Sequence, residues 1–329
     1  MLPSAAVSCK DVKGFYLPCQ SGDPVEKRKG LRIKGMGMNI GIITVRDRAY
    51  HPNRRFGEAA TERGHRTTLV HPYRVWPALK GGEPTVVGQP NMDTLHAVLP
   101  RQGATIGDSC LALIRHFSLM GLPLVNDLDA IRLTKNQFLT LQALTAARIP
   151  VLETIFVNSP QGLQEALAQL GGYPVVVKQV SGRQGKGITL VDSNADEEII
   201  ASRHLDKRKG LLVQRFVPLS GRQDIRVMVV GGKSLGAMEL RPKQGDFRAN
   251  FHLSKESRQI DLSPEQEAIA LKAAYTVDLE IAGVDLIVDQ KGGVSVIEVN
   301  YSPGFKGLES ATGLDIAGQI VDYIAETYG

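Results

Sequence analysis

The sequence predicts a mixed chain, an N-terminal α/β domain followed by a longer α+β region of hairpins and capped helices. Three observations carry this reading. Apolar strand-like runs alternate with helical spacing up to about residue 125. Beyond that point, pairs of β-rich runs meet at glycine turns in 174–191, 224–250 and 283–300. Before and between them, Ser159-Pro160 and Ser263-Pro264 have the form of helix starts, an N-cap followed by proline at the first helical position.

The elements follow in order. Residues 1–37 are rich in Gly, Pro and charge without sustained periodicity, and are expected to form a flexible basic extension. Residues 38–45, MNIGIITV, read as a buried strand. Phe56, Ala59, Ala60 and Arg63 then have helical spacing, with Gly64 placed to end that helix. RTTLV (66–70) and LHAVL (95–99) read as further strands, and 107–120 as a helix ending at Gly121. Thr134 and Gln137 form a capping-box pair, so the next helix is expected to begin at Thr134 and stop at Pro150. A strand over 151–157 and a helix from Ser159 to Gly171-Gly172 follow. Ser263, Pro264 and Gln266 start another helix, and a final one carries Ile316, Ile320 and Ile324 on one face.

Composition excludes several classes. The 329 residues are 43% hydrophobic and 22% charged, as in an ordinary globular protein. No run is long and apolar enough to span a bilayer, and residues 1–9 lack the pattern of a secretory signal. Three cysteines, Cys9, Cys19 and Cys110, offer neither a disulfide framework nor paired zinc spacing, so a cytoplasmic location is expected. The net charge is +5, but residues 1–37 hold seven Lys/Arg against three acids, leaving only +1 for the rest. That distribution, without interleaved aromatics, argues against a nucleic-acid partner.

The most informative stretch is GVDLIVDQKGGVSVIEVN, residues 283–300. If Asp289 pairs with Val294 across the turn, Asp285 falls opposite Glu298, and Glu298 shares a strand face with Asn300. Opposed carboxylates repel and resist burial. A hard divalent cation removes both penalties, and this donor set suits Mg. The alternative is an exposed strand face with solvated acids, against which the flanking Val, Leu and Ile argue.

A second stretch, YPVVVKQVSGRQGKGITLV (173–191), sets Lys178 before a loop containing Gly182, Gly185 and Gly187. Ile188 stands where a Walker A loop needs its lysine, and a strand follows, so a P-loop is rejected. A glycine-rich hairpin still donates backbone N–H groups to phosphate, with Lys178 as a point charge beneath it; the bland reading is a solvated turn. Gly35, Gly37 and Gly41 precede the first strand or fall inside it, the wrong order for a dinucleotide fingerprint. Arg226, Arg241 and Arg248 punctuate 224–250, where they suit phosphate or carboxylate, or else surface ion pairs.

Taken together, the order Lys135, VVVKQVSGRQGKGI, LLVQRFV, QDIRVMVVGG, GDFRAN, GVDLIV, VIEVNYSPGFKGLE and TGLDIAG closely resembles the RimK-type ATP-grasp ligases, over about residues 38–327. The resemblance implies an ATP-grasp fold: a pre-ATP-grasp α/β domain over 38–125, a central lobe over 126–210 and a C-terminal lobe over 211–329 with a metal site. It implies ATP-phosphate contacts from Lys135, Lys178 and the loop glycines. Gln214, Arg215 and Phe216 would pass the adenine, Asp224 would lie near the ribose, and Arg248, Ala249 and Asn250 would line the phosphate end. Asp285, Glu298 and Asn300 would hold two Mg ions, with Mn able to substitute. Arg226 and Arg241, with Arg248, are candidates for the substrate carboxylate or acyl phosphate.

The sequence departs from the family in residues 1–37, which have no counterpart in its compact members, and at three further places. Arg215 stands where Glu is usual, Ala249 replaces a usual Ser, and residues 100–109, which would approach the acceptor, lack the family's more aromatic character. The activity implied is an amide bond formed through an acyl phosphate, adding glutamate or another amino acid to a protein, peptide or small-molecule acceptor. A homo-oligomer is expected. The reading from another class is a regulatory nucleotide-binding protein with a silent site.

Overall fold

The computed structural model describes residues 37–103, 106–183, 186–242, 246–248 and 254–329. The expected extension over 1–37, apart from Gly37, lies outside these residues, as do Gly185, Ala249 and Asn250.

The N-terminal part begins with strand β1 (Asn39–Ile43), wholly buried, then helix α1 (His51–Glu62) and strand β2 (Arg66–Val70), parallel to β1. Gly64, at φ +73°, makes the turn between α1 and β2, as its position after the periodic run predicted. A hairpin of β3 (Val75–Lys80) and β4 (Glu83–Gly88) follows, and β5 (Ala97–Pro100) returns parallel to β1 on its other side. The sheet order is therefore β2-β1-β5. Helix α2 (Asp108–Leu119) leaves β5 and packs Leu113, Ile114 and Phe117 into the core.

The helix expected from Thr134 starts instead at Gln137, and Thr134 closes a separate helix before it. Asp127 caps α3 (Leu128–Thr134), in which Thr134 is the last residue. Asn136 caps α4 (Gln137–Ala146), accepting from the Phe138 and Leu139 N–H groups. The predicted Thr134/Gln137 box is thus replaced by an asparagine cap one residue before the helix, which satisfies two orphan donors at once.

Next come β6 (Thr154–Val157), α5 (Pro160–Gln169), β7 (Val175–Arg183), β8 (Lys186–Val191), α6 (Asn194–Arg203) and β9 (Leu211–Arg215). Ser159 caps α5 as its sequence predicted. The four strands form an antiparallel sheet ordered β6-β9-β7-β8. One face packs Val175, Val177, Val191, Leu211 and Val213 against Leu163, Leu167 and Ile200 of α5 and α6. β9 pairs with both β6 and β7, so residues 211–215 lie in this sheet.

The last part holds β10 (Gln223–Val230), β11 (Lys233–Pro242), β12 (Ser254–Ile260), α7 (Pro264–Thr276), β13 (Ile281–Val288), β14 (Val294–Asn300), α8 (Lys306–Thr312) and α9 (Ile316–Tyr328). A full capping box of Ser263 and Gln266 starts α7. The five strands are antiparallel, in the order β12-β11-β10-β13-β14. Residue alternation divides the sheet's work. Ile225, Val227, Val229, Val284 and Leu286 pack against Ala270, Ala273 and Ala274 of α7. On the other face, Met228, Val230, Met238 and Ile281 pack against Ile316, Ile320, Val321 and Ile324 of α9, together with Ile40, Ile42 and Phe56 of the N-terminal part. The further end of that same face carries Asp224, Arg226 and Asp285, beyond the reach of α9. Asn126 fastens the parts together, donating to the carbonyls of Ile281 and Tyr301 and accepting from the Ile281 N–H, each at 2.8 Å.

Candidate active site

An open cleft, with about 700 Å³ of space that merges with solvent, lies between the four-stranded and five-stranded sheets. Val176, Lys178, Ile188 and Gln214 line it from one sheet, and Asp224, Leu240, Asp285, Leu286 and Glu298 from the other. Arg215, Phe216, Val217 and Arg222 close the end where the chain passes between the sheets, with Phe247 and Arg248 beside them.

The acidic pair forms as expected, by a less direct route. Val288, not Asp289, pairs with Val294, and the register then shifts between Asp285 and Leu286. Leu286 faces Val296 and Asp285 faces Glu298, so Ile297 is the extra residue of a bulge. Asn300 shares the Glu298 face two residues on, opposite Gly283, outside the cleft lining. Arg226 stands opposite Asp285 on β10 and donates to both of its carboxylate oxygens at 2.6 Å. Their side chains are 15% and 9% exposed, so this is a largely desolvated, bidentate pair.

Two cations, Lys178 and Arg226, and two carboxylates, Asp285 and Glu298, therefore meet at one end of the cleft. Burial, then Asp285, pushes the Glu298 carboxyl above its ordinary value, against the pull of Arg226 and Lys178. Burial depresses the Lys178 ammonium, opposed by Glu298 and Asp285. Arg226 is held above its ordinary value: burial works against its charge, and Asp285 outweighs burial through charge and hydrogen bonds. Two opposed carboxylates and a nearby amide are hard oxygen donors of the kind Mg takes. The raised Glu298 carboxyl is the strain that a divalent cation relieves, so these residues fit the metal. Among the described residues no cluster of three or more His, Cys, Asp or Glu side chains that could hold a metal exists.

The residues expected to meet the nucleotide are placed less as predicted. Asp224 lines the cleft, but its carboxylate accepts from Arg222 Nε at 2.8 Å, and burial raises it while Arg222 lowers it. Arg222, which sequence reasoning missed, also donates to the carbonyls of Val217 and Phe247 at 3.1 and 2.7 Å, tying the two segments that flank the cleft. Its one legible signal was the spacing of two from Asp224. Gln214 is buried and donates to Thr154 at 2.9 Å. The exposed Arg215 side chain pairs with Glu153, while its backbone N–H donates to the Glu153 carbonyl. Phe216 packs edge-on to Phe247, with centroids 6.4 Å apart. Arg248 pairs with Asp246 at 2.8 Å.

Gly182 lies in β7, and Gly187 in β8 has φ +81°. Lys135 follows α3 as its C-cap and Arg241 pairs with buried Glu239 at 3.5 Å; neither lines the cleft. The apolar liners Val176, Ile188, Leu240 and Leu286 were also missed, since nothing in a strand sequence marks which apolar residue faces a cleft rather than a core.

Residues 134–324 match the RimK-like ATP-grasp domain model and residues 38–131 the RimK PreATP-grasp domain model. The chain belongs to the RimK-like ATP-grasp family. Among its relatives, a probable alpha-L-glutamate ligase of Thioalkalivibrio sulfidiphilus is 36% identical over 290 residues, covering 88% of this chain and 96% of the relative. A probable alpha-L-glutamate ligase of Legionella pneumophila is 36% identical over 289 residues, covering 87% and 95%. Among solved structures, a RimK domain ATP-grasp protein of Sphaerobacter thermophilus is 27% identical with a TM-score of 0.67, covering 87% of this chain and 98% of that one. The ATP-grasp ligase PsnB, solved with a minimal precursor, Mg and ADP, is 20% identical with a TM-score of 0.68, covering 91% and 100%, and shows the shared fold. The family thus brings the ATP-grasp fold with a pre-ATP-grasp N-terminal domain that the sequence motifs implied. No helix among the described residues is long and apolar enough to cross a membrane.

Proposed function

We propose that this chain is an ATP-dependent carboxylate–amine ligase that joins an amino acid, glutamate first among candidates, to a carboxylate-bearing protein, peptide or small acceptor. One observation carries the reading. Asp285 and Glu298 face each other across β13 and β14, at the end of a two-sheet cleft that Lys178 also lines, with Arg226 bonded to Asp285 from β10. The relatives, probable alpha-L-glutamate ligases, point to glutamate.

The chemistry has two balanced steps. A substrate carboxylate oxygen attacks the γ-phosphorus of ATP, the bond to the bridging oxygen breaks, and ADP leaves. The amine then attacks the acyl carbon, phosphate leaves with the C–O electron pair, and the amine surrenders a proton. Lys178 would meet phosphate oxygens in the cleft, and the Gly182–Gly187 hairpin would donate backbone N–H groups over them. Phe216 and Phe247 offer an apolar wall for the base, beside the backbone of 214–217. Arg222 keeps Asp224 oriented at the nucleotide end. Asp285, Glu298 and Asn300 would hold Mg, which when bound neutralises charge on the transferring phosphoryl group. Arg226, set against Asp285, would face the acyl phosphate as charge redistributes. A cleft closed by the hairpin excludes water that would hydrolyse that intermediate. The lobe boundary falls best after β9, near residue 216, since β9 belongs to the four-stranded sheet.

The test is mass analysis of products from ATP, Mg, L-glutamate and short peptides ending in glutamate. The reading expects one glutamyl addition per ADP released in the first turnover. An unchanged peptide pool with no ADP would reject it.

A further inference from the structure

The parallel sheet presents a cation that the phosphoryl chemistry does not use. β1 lies between β2 and β5, so the strand order reverses between β1 and β5 at the sheet's carboxyl edge. Crevices at such reversals are where open α/β sheets bind ligands. Arg101 stands there: it follows β5 directly, and its backbone N–H donates to the Ile43 carbonyl at 2.9 Å. Gln102 beside it accepts from the Val45 N–H at 3.1 Å, holding the loops after β1 and β5 together.

The Arg101 side chain lies among neutral groups. Its Nη2 donates to the Pro303 carbonyl at 2.6 Å, and its guanidinium carbon lies 5.7 and 5.9 Å from the ring centroids of Phe56 and Phe305. Burial pushes the guanidinium down to about 10, against the pull of Tyr50 and Tyr301. Among the described residues no carboxylate pairs with it, although the neighbouring arginines Arg55 and Arg63 each pair with acids. A half-buried guanidinium with only a carbonyl and aromatic rings for company retains the fork of donors that matches a carboxylate.

Its position links it to the acidic hairpin. Pro303 lies three residues beyond Asn300, and a Cβ on Gly283, the partner of Asn300, would meet the Pro303 side chain at 2.7 Å. Tyr301 donates its hydroxyl to the Gly103 carbonyl, closing the same turn onto the Arg101 loop. A substrate seated at Arg101 therefore lies next to the end of β14 without occupying the cleft.

We infer that Arg101 is a specificity-determining residue of the ligation, binding a non-reacting carboxylate of the amine-bearing substrate. The inference rests on the ligase reading above. The reacting carboxylate has to meet the γ-phosphate beside Lys178 and Glu298, so the one at Arg101 is a different group. An α-amino acid supplies it, with the amine one carbon away and directed towards the acyl group.

The experiment compares the full chain with Arg101→Gln and Arg101→Lys, using ATP, Mg, a fixed glutamate-ending peptide, and either L-glutamate or hydroxylamine as the amine. Hydroxylamine attacks the same acyl phosphate but has no carboxylate. The expected result for Arg101→Gln is a KM for glutamate raised at least tenfold. The ratio of glutamate- to hydroxylamine-dependent turnover falls by at least the same factor, and Arg101→Lys recovers part of it. Should Arg101→Gln fail to fold by circular dichroism, the same ratio is read from Arg101→Lys. Equal losses with both amines, or a raised KM for the peptide at an unchanged ratio, overturns the inference while leaving the ligase standing. Neither amide nor hydroxamate from the unmodified chain overturns the ligase reading and this inference with it.

Discussion

Arg226→Met tests how the charges at the end of the cleft are balanced. The guanidinium holds Asp285 through two hydrogen bonds of 2.6 Å, with both side chains largely shielded from water. Methionine preserves most of the volume but leaves Asp285 facing Glu298 without its counter-charge. Breaking a buried pair from one side costs about 3–5 kcal/mol, chiefly as the penalty of an uncompensated charge. Replacing both partners by apolar residues removes that penalty, so Arg226→Met/Asp285→Leu is expected to recover at least half the loss. Urea denaturation monitored by circular dichroism gives the comparison. Adding Mg to the single variant is expected to restore more stability than it adds to the unmodified chain, because the cation takes the place of the missing guanidinium. A single variant within about 1 kcal/mol of the unmodified chain, or a double variant no better than the single, would refute the assignment of Arg226 as the counter-charge of Asp285.

Two further outcomes test other parts of the account. Gly187 has φ +81°, and a Cβ there would meet the Gln179 side chain at 2.9 Å. Gly187→Val therefore adds about 1–2 kcal/mol of backbone strain, expected to raise KM for ATP roughly five- to thirtyfold as the hairpin closes over phosphate; an unchanged KM would separate the hairpin from nucleotide binding. The Glu298 carboxyl is held above 4.5 by burial and by Asp285. A group with a raised folded pKa takes up protons on folding, so its contribution is full below 4.5 and is lost as pH rises through the folded value. Stability without metal should accordingly decline as pH rises from about 4.5, and Glu298→Gln should flatten that slope. A steepened or unchanged slope would show that other groups set it.

What the sequence made legible is local in origin. The caps at Ser159 and Ser263 and the strands flanking Gly231-Gly232 depend on neighbours within a few residues, and they stand where expected. The acidic pair was legible because a hairpin fixes its own register, although the turn and the Ile297 bulge each differed from the simple pairing by one residue and the two differences cancelled. The capping box at Thr134 failed because two better-placed acceptors, Asp127 and Asn136, divided the segment. The β3–β4 hairpin escaped notice because Pro77 and Pro84 interrupt its alternation. The Arg226–Asp285 pair spans 59 residues, and the Arg101–Pro303 contact 202. No periodicity or spacing reports such contacts, since they depend on which strands become neighbours and on how the N-terminal part seats against the end of β14.

The central claim is that Glu298, opposite Asp285, holds the divalent ion through which ATP is turned over. Steady-state ADP release by Glu298→Ala, measured with saturating Mg and the substrates of the unmodified chain, tests it most directly. The account predicts that ADP release is abolished while the circular dichroism spectrum is unchanged; near-normal ADP release from the folded variant would contradict it.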